Sequence, residues 1–94
     1  MDKRRKRVDP QFEIARREQL IADLEAGVLD IPTAIRRMRE AVYFTREEYA
    51  KITKVTPRAL ASIEAGKGNP TLKTLNKLGK PYGLVLGFRK LRKD

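Results

Sequence analysis

Two helix-start signals standing close together constrain this chain more than any other feature of its 94 residues. Thr45-Arg46-Glu47-Glu48 has the Thr-x-x-Glu form of a capping box, in which the threonine and glutamate side chains each satisfy a backbone N–H at the other residue. Thr56-Pro57 is a second start: a capping threonine, then proline at the first helical position, where no N–H is needed. Only a short helix and a tight turn fit between them. The first helix carries Tyr49, Ala50 and Ile52, and the second carries Leu60 and Ile63 on its inner face. Ala50 is small where the two helices must approach, and Val55 is placed to plug the turn from inside.

The flanking sequence supplies the rest of a helical core. Asp30 and Pro32 open a helix whose apolar positions, Ile31, Ile35, Met38 and Val42, fall on one face. Upstream, Asp9 and Pro10 open another, with Leu20, Ile21 and Leu24 as its stripe, Phe12 joining them, and Gly27 at its end. Downstream, residues 65–70 form a loop by their Gly, Asn and Pro content. Thr71 then caps a helix with Leu72, Leu75 and Leu78 facing inward, closed by Pro81 and Gly83. Residues 84–88 change character and read as a short β-strand. The expected fold is all-α, with about five helices and this one C-terminal strand. The expected organisation is a basic arm over 1–8, an N-terminal helix extension over 9–30, a core domain over 31–83, and a strand with a basic tail over 84–94.

Charge points to the partner. Lys and Arg number 22 against 12 Asp and Glu, a net charge of +10. That favours a polyanion, either nucleic acid or an anionic membrane surface. The membrane reading is the weaker one, because Glu13, Glu18, Asp23 and Glu25 dilute the basic face around Arg16 and Arg17. No apolar run approaches the ~20 residues of a membrane span. No apolar stretch follows the basic start, which is therefore not read as a secretory signal. The expectation is a cytoplasmic protein. The five consecutive cations, Lys3 to Arg7, are either a solvated end or an arm for phosphates or a minor groove.

The chain contains no Cys and no His, which excludes disulfides, thiolate metal sites, His-ligated zinc and histidine acid–base catalysis. Glu47 and Glu48 are helix-start carboxylates favoured by the dipole, not a catalytic pair. Gly66-Lys67-Gly68 is too short for a phosphate-binding loop of the nucleotide-hydrolase type. The tyrosines Tyr43, Tyr49 and Tyr82 read as packing residues. No enzyme activity, metal or cofactor is expected.

The two short helices and their turn form a helix-turn-helix. The outer face of its second helix holds Pro57, Arg58, Ala61 and Ser62. The DNA major groove admits one helix, read mostly by its N-terminal residues. Arg58 can give two hydrogen bonds to a guanine edge, Pro57 and Ala61 suit a thymine methyl, and Ser62 can donate or accept. The helix starts at Thr45 and Thr56 offer N–H groups to phosphates.

The segments 35–39, 44–50 and 55–66, continued by Asn69-Pro70-Thr71-Leu72 and Leu75, resemble the XRE family of Cro and phage-repressor type helix-turn-helix proteins. The resemblance implies base contacts from Pro57, Arg58 and Ser62. It implies phosphate or edge contacts from Thr45, Arg46, Lys67 and Asn69, and a buried ion pair between Arg39 and Glu64. Arg46 stands where the family usually has Gln, which favours phosphate contact. Lys54 stands where Gly is common, which places a non-glycine residue at positive φ.

Residues 66–77 with Pro81-Tyr82-Gly83-Leu84 are similar to HipB-type antitoxins. That similarity implies a strand paired with its twofold mate, here through Leu84, Val85, Leu86 and Phe88. It implies a homodimeric repressor on an inverted-repeat operator in double-stranded DNA, autoregulating a toxin–antitoxin pair and restraining a HipA-like kinase toxin. The alternative is a stand-alone XRE-type regulator without a toxin.

Overall fold

Side-chain oxygens start four of the five helices. The computed structural model describes residues 10–90. Its helices are α1 (Pro10–Ala26), α2 (Ile31–Ala41), α3 (Arg46–Thr53), α4 (Pro57–Glu64) and α5 (Leu72–Gly79), followed by a 3-10 turn, Lys80–Tyr82. Asp30 caps α2 by accepting from Thr33 N–H, and Thr56 and Thr71 cap α4 and α5 in the same way. Thr45 and Glu48 complete a reciprocal capping box on α3. Each such cap contributes about 1 kcal/mol. The expected cap of α1, Asp9, the basic arm over 1–8 and the last four residues of the basic tail lie outside the described residues.

The helix ends are equally regular. After α2, Tyr43 N–H donates to Glu40 C=O and Phe44 N–H to Arg39 C=O. After α4, Gly66 N–H donates to Ile63 C=O and Lys67 N–H to Ser62 C=O. This is the Schellman pattern, which needs a left-handed residue at the turn. Gly66 supplies it at φ 75, but Tyr43 supplies it at φ 59 without being glycine.

One apolar core joins all five helices. Leu20 of α1, Tyr49 of α3, Leu60 of α4 and Leu78 of α5 are its largest fully buried side chains. Ile35 and Met38 of α2 pack among them. Burying a leucine stabilises by roughly 1.5–3 kcal/mol, so α1 is fixed to the domain by Leu20 as well as by the chain. The 3-10 turn is drawn onto α2 by Tyr82, whose hydroxyl donates to Met38 C=O at 2.8 Å.

Several expected core positions are exposed: Phe12, Ile31, Ile52 and Leu72. Ile31 and Leu72 are each the first residue of a helix, at the end of the packed face rather than its middle. On α3 the buried face is Tyr49, Ala50 and Thr53, and at about 100° per residue Ile52 falls beside it. Thr53 takes the inward place because its hydroxyl donates to Tyr49 C=O at 2.7 Å, which removes the cost of burying it.

The C-terminal strand is not formed: the described residues contain five helices and no strand. A strand exists only as part of a ladder, and no second extended segment among the described residues of this single chain pairs with residues 84–88. Their backbone is held differently. Leu84 N–H donates to Gly79 C=O at 3.1 Å and Leu86 N–H to Asn76 Oδ1 at 2.8 Å. The approach is close enough that a Cβ on Gly79 would meet Leu84 O at 3.2 Å. Arg89 Nη2 then donates to Gly27 C=O at 3.0 Å, tying the tail to the end of α1. Leu84 packs against the core, while Val85, Leu86 and Phe88 are exposed. No helix among the described residues is long and apolar enough to cross a membrane.

Candidate nucleic-acid interface

The pair α3 and α4 is built from the inside out. Ala50 is fully buried where α4 crosses, Leu60 and Ile63 face it, and Val55 N–H returns to Ala50 C=O at 3.0 Å across the turn. Lys54 makes that turn in the left-handed region, φ 60 and ψ 40. A non-glycine residue there costs roughly 1–3 kcal/mol, recovered by the packing it allows. The consequence is that α4 turns its first residues outward. Thr56, Pro57 and Arg58 are exposed, and Ala61 and Ser62 are half-buried on the same side. No described hydrogen bond or ion pair engages the Arg58 guanidinium, so its donors are open to a ligand.

Behind α4 lies a charged clamp. Glu64 is 2% exposed at its side chain, and Arg39 is 13% exposed. Arg39 Nε meets Glu64 Oε2 at 2.7 Å and Nη2 meets Oε1 at 2.9 Å, a bidentate pair joining α2 to the end of α4. Arg39 Nη1 also donates to Phe44 C=O at 3.0 Å, which sets the turn leading into α3. Hydrogen bonding to Glu64 holds the guanidinium above its ordinary pKa, against burial acting in the other direction. Arg46 completes the clamp, with Nε 3.1 Å from Glu64 Oε1. Its side chain is half exposed. Only Nε is engaged in this pair, and a guanidinium has five N–H donors. Thr45, half-buried as the cap of α3, stands beside it.

The loop after α4 gathers the remaining expected contacts. Lys67 and Asn69 are exposed. Ser62 Oγ donates to Lys67 C=O at 3.2 Å, so its hydroxyl braces the loop from the helix side.

This arrangement is a helix presented by its exposed N-terminal end, backed by a buried clamp and flanked by a second capped helix. The helix-turn-helix family model matches residues 35–85, more than half of the chain. The chain belongs to the XRE-type helix-turn-helix family. It is therefore a DNA-binding regulator of that type, and α1 is an addition before the matched helix-turn-helix region. Searches of curated proteins and of solved structures returned no match.

Relationships that sequence reasoning missed cluster at the edges of the helix-turn-helix. Asp23 on α1 pairs with Arg37 on α2 at 2.7 Å, and Arg37 holds the Asp23 carboxyl below the usual carboxylate range. Arg16 on α1 donates from Nη1 to the Tyr43 hydroxyl at 2.6 Å. The only sequence signal for that contact is a tyrosine placed where a helix end calls for glycine. Of the residues expected at a dimer contact, Leu84 lies half-buried against its own core, and Val85, Leu86 and Phe88 remain outside it.

Proposed function

We propose that the chain is a sequence-specific transcriptional repressor, acting as a homodimer on an inverted-repeat operator. Its base-reading residues are Pro57, Arg58, Ala61 and Ser62, and its phosphate contacts are Thr45, Arg46, Thr56, Lys67 and Asn69. The observation that carries this reading is the exposed start of α4 with the unengaged Arg58 guanidinium, inside a matched helix-turn-helix. Two such helices reading one inverted repeat require a twofold partner. The exposed apolar side chains Val85, Leu86 and Phe88 are the surface such a partner would cover.

The tail residues that resemble HipB-type antitoxins extend the proposal. The repressor restrains a HipA-like kinase toxin and silences their shared operon from the cytoplasm. The test is selection of duplexes from a random-sequence pool, followed by sedimentation of the complex and a pull-down from the native host. An enriched inverted repeat bound by two chains is expected, together with a captured kinase. Enrichment without a kinase would leave a stand-alone regulator. No enrichment at all would overturn sequence-specific repression.

A further inference from the structure

The family match begins at residue 35, so α1 lies outside it, yet α1 is fastened to it by packing, by an ion pair and by a contact of Arg16. Leu20 is buried in the shared core with Leu24 packed beside it, and Asp23 pairs with Arg37. The remaining contact involves Arg16, whose Nη1 donates to the Tyr43 hydroxyl at 2.6 Å and whose Cζ lies 5.0 Å from the ring centroid. Arg16 is exposed, so this contact adds little to stability. It does fix the direction of a charge. The described ion pairs give Arg37, Arg39 and Arg46 each a carboxylate, and none of them includes Arg16.

The anchor is itself unusual. Tyr43 holds the left-handed position that ends α2, at φ 59, where glycine would be unstrained. An open hollow of about 360 Å³ lies there, lined by Arg16, Arg39, Glu40, Tyr43, Phe44 and Thr45. Thr45 caps α3, and Tyr43 precedes it by at most about 7 Å of chain. Each DNA strand carries a phosphate per roughly 3.4 Å of helix rise. Arg16 and Thr45 line the same hollow, so a strand whose phosphate meets the start of α3 has a neighbouring phosphate within the span of that hollow.

We propose that Arg16, oriented by Tyr43, is a further DNA-backbone site, binding a phosphate just outside the half-site that α4 reads. The inference rests on the DNA-binding reading and carries it from the helix-turn-helix onto α1. Glu40 lines the same hollow and opposes a free anion there. The contact therefore depends on a duplex already held by α3 and α4. It carries no base preference, because a phosphate has none.

The test uses the full chain and a duplex that the wild-type chain enriches from a random pool, with a scrambled duplex beside it. Arg16→Gln is expected to weaken binding to both duplexes by about tenfold. It should also reduce the slope of log affinity against log salt by about one unit. Arg16→Lys, which keeps the charge, should retain the slope. Tyr43→Gly suits the local backbone, so the chain still folds, and it should reproduce part of the Arg16→Gln loss by freeing the guanidinium. Shortening the enriched duplex at its outer edges should weaken the wild-type chain and leave Arg16→Gln unaffected. An unchanged slope and affinity for Arg16→Gln, with the wild-type chain still binding, would overturn this site alone. A wild-type chain that binds neither duplex would overturn the DNA-binding reading beneath it.

Discussion

The Tyr49 hydroxyl donates to the backbone carbonyl of Leu78 at 2.7 Å, with both residues fully buried. This bond ties the first helix of the helix-turn-helix to the end of α5. Removing the hydroxyl by Tyr49→Phe leaves a buried carbonyl short of a partner and should cost about 1–3 kcal/mol. Urea unfolding of both chains measures it, and an unchanged midpoint would show that the bond contributes nothing.

The same burial makes stability depend on alkaline pH. Burial pushes the Tyr49 hydroxyl pKa well above its ordinary value near 10, and Tyr82 is raised too, chiefly by burial. Above pH ~10 the unfolded chain releases these protons while the folded chain keeps them, so stability falls as pH rises. Below that pH the contribution is fully present. Unfolding free energy measured from pH 8 to 11 should decline, and Tyr49→Phe should decline less steeply. Equal slopes would remove Tyr49 from the account.

Glu64 holds two guanidinium groups while almost wholly buried. Glu64→Ala strands Arg39 without its carboxylate and should destabilise the fold by about 3–5 kcal/mol. Arg46→Ala, at a half-exposed partner, should cost no more than about 1 kcal/mol. Thermal melts of the two variants test this ordering, which a similar loss in both would contradict.

Arg58 stands exposed at the start of α4 with no described partner of its own. Arg58→Ala should weaken binding to a selected duplex by about 1–3 kcal/mol and relax preference at one base position. Repeating the duplex selection with the variant reads the preference directly. Equal losses on every sequence would make Arg58 a phosphate contact instead.

Val85 and Phe88 project away from the core that Leu84 joins. Replacing both with glutamate should leave the melting temperature near that of the parent chain. It should convert the proposed dimer to a monomer in sedimentation, with weak half-site binding. A variant that remained dimeric would move the interface elsewhere, with the exposed face of α1 next to be tested.

What the sequence determined by itself was local. Thr45, Thr56 and Thr71 announce helix starts because a capping side chain reaches an N–H only three residues away. The inner faces of α2 and α4 follow from periodicity, since helical spacing places Ile35 with Met38 and Leu60 with Ile63 on common sides. Lys54 at positive φ was also legible, from a turn position where the family favours glycine. The tertiary structure decided what depends on distant partners. Residues 84–88 have the composition of a strand, but with no ladder partner among the described residues of the single chain they follow Gly79, Asn76 and Gly27 instead. Arg46 leans on Glu64 because the fold brings the start of α3 to the end of α4. Arg16 acquires its direction from Tyr43, 27 positions along the chain. Composition and spacing describe neighbours in sequence, whereas each of these contacts exists only after the helices have packed.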